Sequence, residues 1–297
     1  MLYMSRLVLC AVFCMVLSLP SFSAKTPQPI ISASLKAHDM TFQIMRANKP
    51  ECEPNCPQWI YAEGDVVAGT AAKFNQVLRM AGKVPLLVIQ SRGGDVRSAL
   101  TMGKAIRARG MNVAVGYAFS LACPSDDKFC NETLKSKQIS RGFVSSQASF
   151  CASACPLILA AGVERIAVAD SIIGTHQIIT KPLFQKVFYR EKYLMVRGRK
   201  QILSRTITKR EIITGKTTTK LTPDFQAELK RYVKSMGVGS DFLDYYAKAP
   251  PTSIYKMSAA ERLETKIITS QKNPEFYARP AICAGMQPAA NCVLIKP

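Results

Sequence analysis

Ser153 lies in Cys151-Ala152-Ser153-Ala154-Cys155, at the head of an apolar run that the spacing predicts as a helix over 151–161. Downstream is His176, one of two histidines in the 297 residues, the other being His38. A serine hydroxyl attacks a carbonyl carbon only when a neighbouring base accepts its proton. Imidazole is the side chain whose ordinary pKa suits that transfer near neutrality. Upstream, Ser91-Arg92-Gly93-Gly94-Asp95-Val96 carries a glycine pair. Glycines let backbone N–H groups approach a substrate oxygen with no side chain in the way. Taken singly, these residues read as a helix cap, a hydrogen-bonded strand residue and a tight turn. In this order, within 86–178, they read as a nucleophile, a base and an oxyanion hole. The stretch contains no metal-ligand spacing, and no metal or cofactor is expected.

The elements that must position them follow from periodicity. Met40–Met45 alternates like a strand, and Trp59–Val66 reads as strand then turn. Helices are predicted over Thr70–Met80, with Gly82 as stop, and over Val96–Arg109, ended by Gly110. Leu86–Gln90, Val113–Tyr117, Arg165–Ala169 and Ile172–Ile179 read as strands. Strands alternating with helices at this spacing give a layered α/β sheet. A helix starting at Thr222-Pro223 runs to about Met236.

This order of motifs resembles the Clp protease/crotonase superfamily, and within it the Clp proteolytic subunit and its exported bacterial relatives. Ser91–Val96 is similar to that branch's Ser-Pro-Gly-Gly-x-Val. Ala152-Ser153-Ala154 with Leu157–Gly162 is similar to its nucleophile helix, and Thr175-His176-Gln177 to its base strand. Met257–Glu261 with Ile267-Ile268 is similar to its C-terminal end. The resemblance implies a Clp/crotonase-like layered sheet with flanking helices, and a serine hydrolase acting on peptides. It implies Ser153 as nucleophile, His176 as base, and the N–H groups of Gly94 and Ala154 as oxyanion donors, with Gly93 shaping the turn. The chain departs from the pattern at Arg92, which replaces the proline, and at 250–256, which holds no carboxylate where the family has its aspartate. Thr252 or Ser253 are then the candidates to orient His176, with Asp170, Asp241 and Asp244 as substitutes only if the fold brings them near. Three alternatives stand beside this reading. One is a catalytically weak or silent scaffold of the cell envelope. Another is a Ser/Lys enzyme with Lys181 or Lys186 as base. The third is an acyl-CoA enzyme, disfavoured by export.

Export is read from the N-terminus. Arg6, the apolar run Leu7–Leu19, Pro20 and Ser21-Phe22-Ser23-Ala24 together read as a cleaved signal peptide, with an N-terminal membrane anchor as the alternative. The expected compartment is periplasmic or extracellular. The eight cysteines beyond the signal, Cys52, Cys56, Cys123, Cys130, Cys151, Cys155, Cys283 and Cys292, are then disulfide candidates, falling as four local pairs, with metal binding the weaker alternative for want of Cys-x-x-Cys pairs and histidines. The expected organisation is a signal peptide (1–24), a linker and N-terminal strand region (25–58), a core domain (59–270) with insertions at 120–147 and 181–220, and a Cys-containing tail (271–297).

Charge adds one more feature. The chain has 40 Lys+Arg against 20 Asp+Glu, a net +20. Residues 181–234 hold fifteen of the basic and four of the acidic residues. Threonines and isoleucines around Gly198 and Gly215 predict β-hairpins there. Such a balance favours acidic surfaces of the envelope as partners. No aromatic RNA-binding signature or zinc-finger spacing points to nucleic acid. The basic insertion occupies the position of the Clp ring-contact element, so the resemblance also allows a homo-oligomer.

Overall fold

The computed structural model describes residues 38–48, 52, 55–120, 139–181 and 183–278. The segment read as a signal peptide, the expected linker over 25–37, the core of the polar insertion (121–138), and Cys123, Cys130, Cys283 and Cys292 lie outside the described residues.

Strands β1 (Thr41–Ala47), β2 (Gln58–Glu63), β3 (Leu86–Gln90), β4 (Asn112–Val115), β5 (Tyr117–Ser120) and β6 (Ile139–Ser145) build most of a seven-stranded sheet. With β8 (Arg165–Ile166) at one edge, its order is β5-β6-β1-β2-β3-β4-β8. The run β2-β3-β4-β8 is parallel. Its central strands are covered on both faces, so they read as continuous apolar stretches rather than alternating ones. Ile60, Leu87, Ile89 and Val113 face a core shared with Phe74 of helix α1 (Thr70–Ala81) and with Leu100 and Ile106 of helix α2 (Val96–Ala108). Trp59, Leu86, Val88 and Ala114 face the other way, toward Cys56 and Tyr277. This is the layered, mostly parallel α/β architecture expected from the sequence.

A second sheet carries the site. It consists of β7 (Phe150–Ala152), β9 (Ile172–Thr175) and β12 (Tyr255–Lys256), in the order β12-β9-β7. It branches from the end of β3. Ser91 bridges to Cys151, with Ser91 N–H donating to Phe150 O at 3.3 Å and Ala152 N–H to Ser91 O at 2.9 Å.

Around Ser153 the structure differs from the predicted helix over 151–161. Cys151 and Ala152 are strand, Ser153 and Ala154 a turn, and helix α3 spans only Cys155–Leu159. Pro156 gives the reason. It has no N–H, so it is tolerated in a first turn but would break a helix begun four or five residues earlier. Short apolar runs do not separate strand from helix by periodicity.

The basic insertion forms one hairpin. Strands β10 (Leu183–Val196) and β11 (Arg199–Thr214) pair with each other as a two-stranded sheet. Arg197 (φ 49°) and Gly198 (φ 74°) make the connection, the left-handed pair that a two-residue hairpin turn requires. Gly215 starts no second hairpin. Instead Thr180 and Thr218 bridge across the ribbon's base. Helix α4 (Pro223–Ser235) follows, capped by Thr222 Oγ1 accepting from Phe225 N–H. Helix α5 (Ala259–Glu264) opens with a Ser258/Glu261 capping box. Hydrogen bonding from Tyr255 holds the Glu261 carboxyl down at about 2. Among the described residues no helix is long and apolar enough to cross a membrane.

Candidate active site

Ser153 has φ 58°, a left-handed conformation that costs a non-glycine residue on the order of 1 kcal/mol or more and persists only when its surroundings impose it. Three neighbours do so. Ser153 N–H donates to Gly174 O of β9 at 2.8 Å. Ser153 C=O accepts from the Tyr246 hydroxyl at 2.9 Å. Gly93 packs against the turn so closely that a Cβ there would lie 2.4 Å from Ala152 O, 2.5 Å from Ala154 N and 2.6 Å from Ser153 Cβ. The Ser153 side chain sits half-buried at the junction of strand and helix.

The glycine loop is held from its far side. Val66 N–H donates to Gly93 O at 2.7 Å, and Asp95 N–H donates back to Val66 O at 2.6 Å. A trans peptide points its C=O and N–H in opposite directions. With Gly93 C=O engaged by Val66, the N–H of Gly94 is therefore turned away from Val66. Gly93 N–H is not available to a substrate, because it donates to the buried Ser91 Oγ at 3.1 Å. Ser91 Oγ in turn donates to Gly64 O at 2.6 Å. Among the described residues, neither Gly94 N–H nor Ala154 N–H has an acceptor within the chain. Arg92 is half-exposed and forms an ion pair with Asp65 through Nε and an Nη. Asp95 caps α2 by accepting from Ser98 N–H at 2.7 Å.

His176 directly follows β9. The parallel pairing sets Ala152 beside Gly174, which puts His176 past the level of Ser153. Its Nδ1 is 2.9 Å from Gln177 O. A carbonyl can only accept, so in the neutral ring Nδ1 carries the proton and Nε2 keeps its lone pair, the tautomer a general base requires. The Ser153 and His176 side chains share no hydrogen bond among the described residues. Thr252 and Ser253, the expected orienters, make none to the imidazole either. Ser253 N–H closes a turn onto Pro250 O, and it is Ile254 that packs over Gly174. Asp170 is placed at the opposite end of β9, beside Arg262. Asp241 lies against Gly239, and Asp244 faces a cleft that Gln177 also lines. Lys181 is exposed, and Lys186 sits over the Phe188 ring on the hairpin, 4.8 Å from its centroid.

That cleft, about 340 Å³, opens between Gln177, Ile178, Leu221, Leu243, Asp244 and Tyr246. Gln177, the residue after His176, lines it. Sequence reasoning found neither the cleft nor Tyr246. Burial raises the Tyr246 pKa well above the ordinary value, so its hydroxyl stays a donor throughout the physiological range. Nearby, the Thr175 hydroxyl donates to Tyr245 O at 2.8 Å, tying β9 to the same 3-10 helix (Ser240–Ala247). Tyr246→Phe keeps the ring and removes the anchor on Ser153 C=O. It is expected to cost about 1 kcal/mol of stability and to slow reaction with an active-site probe by roughly tenfold or more. Urea titration and labelling rate measured on the same variant separate the two effects.

Two disulfides are present among the described residues, Cys52–Cys56 and Cys151–Cys155. The second closes a ring around Ala152-Ser153-Ala154 and joins β7 to α3 across the left-handed turn. Closure of so short a loop stabilises by about 2 kcal/mol at most. Replacing both cysteines by serine is expected to lower the unfolding midpoint modestly. It should slow the reaction of Ser153 more than a surface variant of equal destabilisation does, as read by labelling rate against Tm.

No protein-family model matches the chain. No curated protein sequence matches it. Among solved structures the chain is similar to a membrane-bound stomatin-specific protease, at 12% identity over 71% of this chain and 78% of that one, with a TM-score of 0.37. A variant of the same protease, in complex with a substrate peptide, aligns at 12% identity over 73% and 75%, with a TM-score of 0.37. The ClpP protease catalytic domain from Plasmodium falciparum aligns at 14% identity over 71% and 82%, with a TM-score of 0.36. Likeness at this level leaves the chemistry to be read from this chain's own geometry.

Proposed function

We propose that this chain is an exported serine hydrolase acting on peptides, with Ser153 as nucleophile and His176 as general base. The observation that carries the reading is the left-handed Ser153 turn pressed against Gly93, with the N–H groups of Ala154 and Gly94 unpaired beside it. A strained serine next to idle backbone donors costs stability, and such costs concentrate at reaction centres. In the reaction, Ser153 Oγ adds to the substrate carbonyl carbon as His176 Nε2 takes its proton. Charge on the carbonyl oxygen is met by Ala154 N–H and Gly94 N–H. Nε2 then returns the proton to the leaving amine, and water repeats the sequence on the acyl-enzyme. Gln177 O, accepting from Nδ1, does part of what the triad aspartate does elsewhere, since it fixes the ring and its tautomer. It brings no charge to balance the imidazolium, so the expected turnover is low. Peptide as substrate class follows the resemblance of 91–96, 152–162 and 175–177, and export follows the N-terminal segment.

A second reading, a peptide-binding scaffold without catalysis, is favoured by the unmade Ser153–His176 hydrogen bond. One experiment separates the two. The purified protein is treated with a fluorophosphonate probe and the adduct mapped by mass spectrometry. An adduct on Ser153 that disappears in His176→Ala and persists in Lys181→Ala and Lys186→Ala supports the Ser/His hydrolase. Absence of any adduct supports the scaffold. Loss in a lysine variant moves the base to that lysine.

A further inference from the structure

The ribbon β10–β11 is an unusual object in a folded protein. Fourteen residues at about 3.3 Å each make it about 45 Å long. It forms a sheet of its own, and a two-stranded ribbon in water is marginal without something to cover it. Its outer end carries large apolar side chains open to solvent, Tyr193, Leu194, Met195, Val196, Ile202 and Leu203. Met195 is 62% exposed and Leu203 59%.

The register says which faces they occupy. Tyr193 opposes Ile202, and Met195 opposes Lys200, on one face. Leu194 opposes Gln201, and Val196 opposes Arg199, on the other. Leu203 is the extra residue at the irregularity between Lys192 and Tyr193. The tip is thus apolar on both sides. A flat partner, or a second copy stacked on the ribbon, covers one face and leaves the other in water. A medium that surrounds the tip covers both. The charge narrows the choice of medium. The ribbon holds nine Lys/Arg and two Glu between 183 and 214. Glu191 is already paired with Lys200 and Arg205, and Glu211 with Lys209.

From these features we infer that the β10–β11 tip is a membrane-docking element that enters the interface of an anionic phospholipid bilayer. Leu194, Met195, Val196 and Leu203 occupy the acyl boundary, and Tyr193 sits at headgroup level, where amphipathic rings collect. Arg190, Lys192 and Arg205, further down the ribbon, meet the anionic surface. Arg197 and Arg199, at and beside the turn, have stems long enough to reach headgroup phosphates from an obliquely entering ribbon. Docking through this arm holds the α/β body beside the bilayer. The inference rests on the ribbon alone and is independent of the chemistry proposed for Ser153.

The test uses the chain's single tryptophan, Trp59, which is fully buried. Leu194→Trp therefore adds a reporter that reads the tip alone, whatever the apolar N-terminal segment does. Addition of phosphatidylcholine/phosphatidylglycerol vesicles should shift its emission to the blue, and brominated acyl chains should quench it. Phosphatidylcholine alone, or high salt, should give little shift. Neutralising Arg190→Gln and Lys192→Gln together should raise the lipid needed by about twenty-five-fold, at roughly fivefold for each charge. Unchanged tip emission with anionic vesicles overturns the inference, even if the protein sediments with them. So does a blue shift in lipid-free buffer that grows with protein concentration, because the occupant is then a second copy. An equal shift for Thr206→Trp, at mid-ribbon, overturns tip-first entry in favour of a ribbon lying flat.

Discussion

Ser153→Ala is expected to abolish fluorophosphonate labelling and to reduce peptide hydrolysis by at least about a hundredfold. The magnitude follows from the missing carboxylate. In serine proteases with a complete triad, removing the serine costs on the order of 10⁶ in rate, and removing the aspartate alone on the order of 10⁴. An enzyme that starts without the aspartate has already given up most of that range. What is left above the background is on the order of 10². The Nδ1–H donated to Gln177 O raises the starting rate to the extent that it orients the ring, so the loss lies above that figure. Stability should barely change, because alanine and serine bear similar strain at φ 58° and the backbone bonds to Gly174 and Tyr246 remain. Hydrolysis and labelling that persist unchanged in Ser153→Ala, with the protein folded, defeat the assignment outright.

Gly93→Ala is the second large effect. Its Cβ would be driven to 2.4 Å from Ala152 O and 2.5 Å from Ala154 N, both backbone atoms that a rotamer change does not relieve. The residue also sits at φ 95°, where an L side chain is strained regardless of space. The loop and the Ser153 turn must move apart. Displacement of reacting groups by about 1 Å costs roughly 10² in rate. The expected result is a loss of labelling on the order of a hundredfold, with a stability cost of roughly 2–3 kcal/mol. Gly110→Ala is the control. It too has positive φ, 64°, but nothing lies within 4 Å of its Cβ. It should lose stability from backbone strain and keep its labelling rate. Equal rates for Gly93→Ala and wild type would show that the glycine loop has no part in the reaction.

The fold was legible in the sequence wherever local chemistry decides it. Leu86–Gln90 announces a buried strand, Thr222 announces a helix start, and Gly110 a stop. The ribbon's threonines and isoleucines announce strands, although one hairpin takes the place of the predicted pair because the Gly215 region is used to bridge Thr218 to Thr180. The candidate site was read from the sequence as a set of residue types in order. Its geometry was less legible. The apolar run after Cys151 hides a strand, a turn and a short helix, and only Pro156 hints at the break.

Sequence by itself determined that the chain has a layered α/β core, a glycine pair after a buried strand, and a basic arm. These are properties of neighbours in the chain, carried by periodicity, caps and composition. The strand predicted over Ile172–Ile179 ends at Thr175, so His176 lies just past it. Tertiary structure alone decided the rest. It set Ser153 in a left-handed turn and gave its carbonyl to Tyr246, 93 residues away. It used Gly93 N–H on Ser91 and, among the described residues, left Gly94 N–H and Ala154 N–H without an acceptor. It gave the imidazole a backbone carbonyl instead of the hydroxyls of Thr252 and Ser253. The contacts of Ser153 with Gly174 and Tyr246 join residues far apart in the chain and leave no local pattern. They come into being only when the two sheets meet at Ser91 and Cys151.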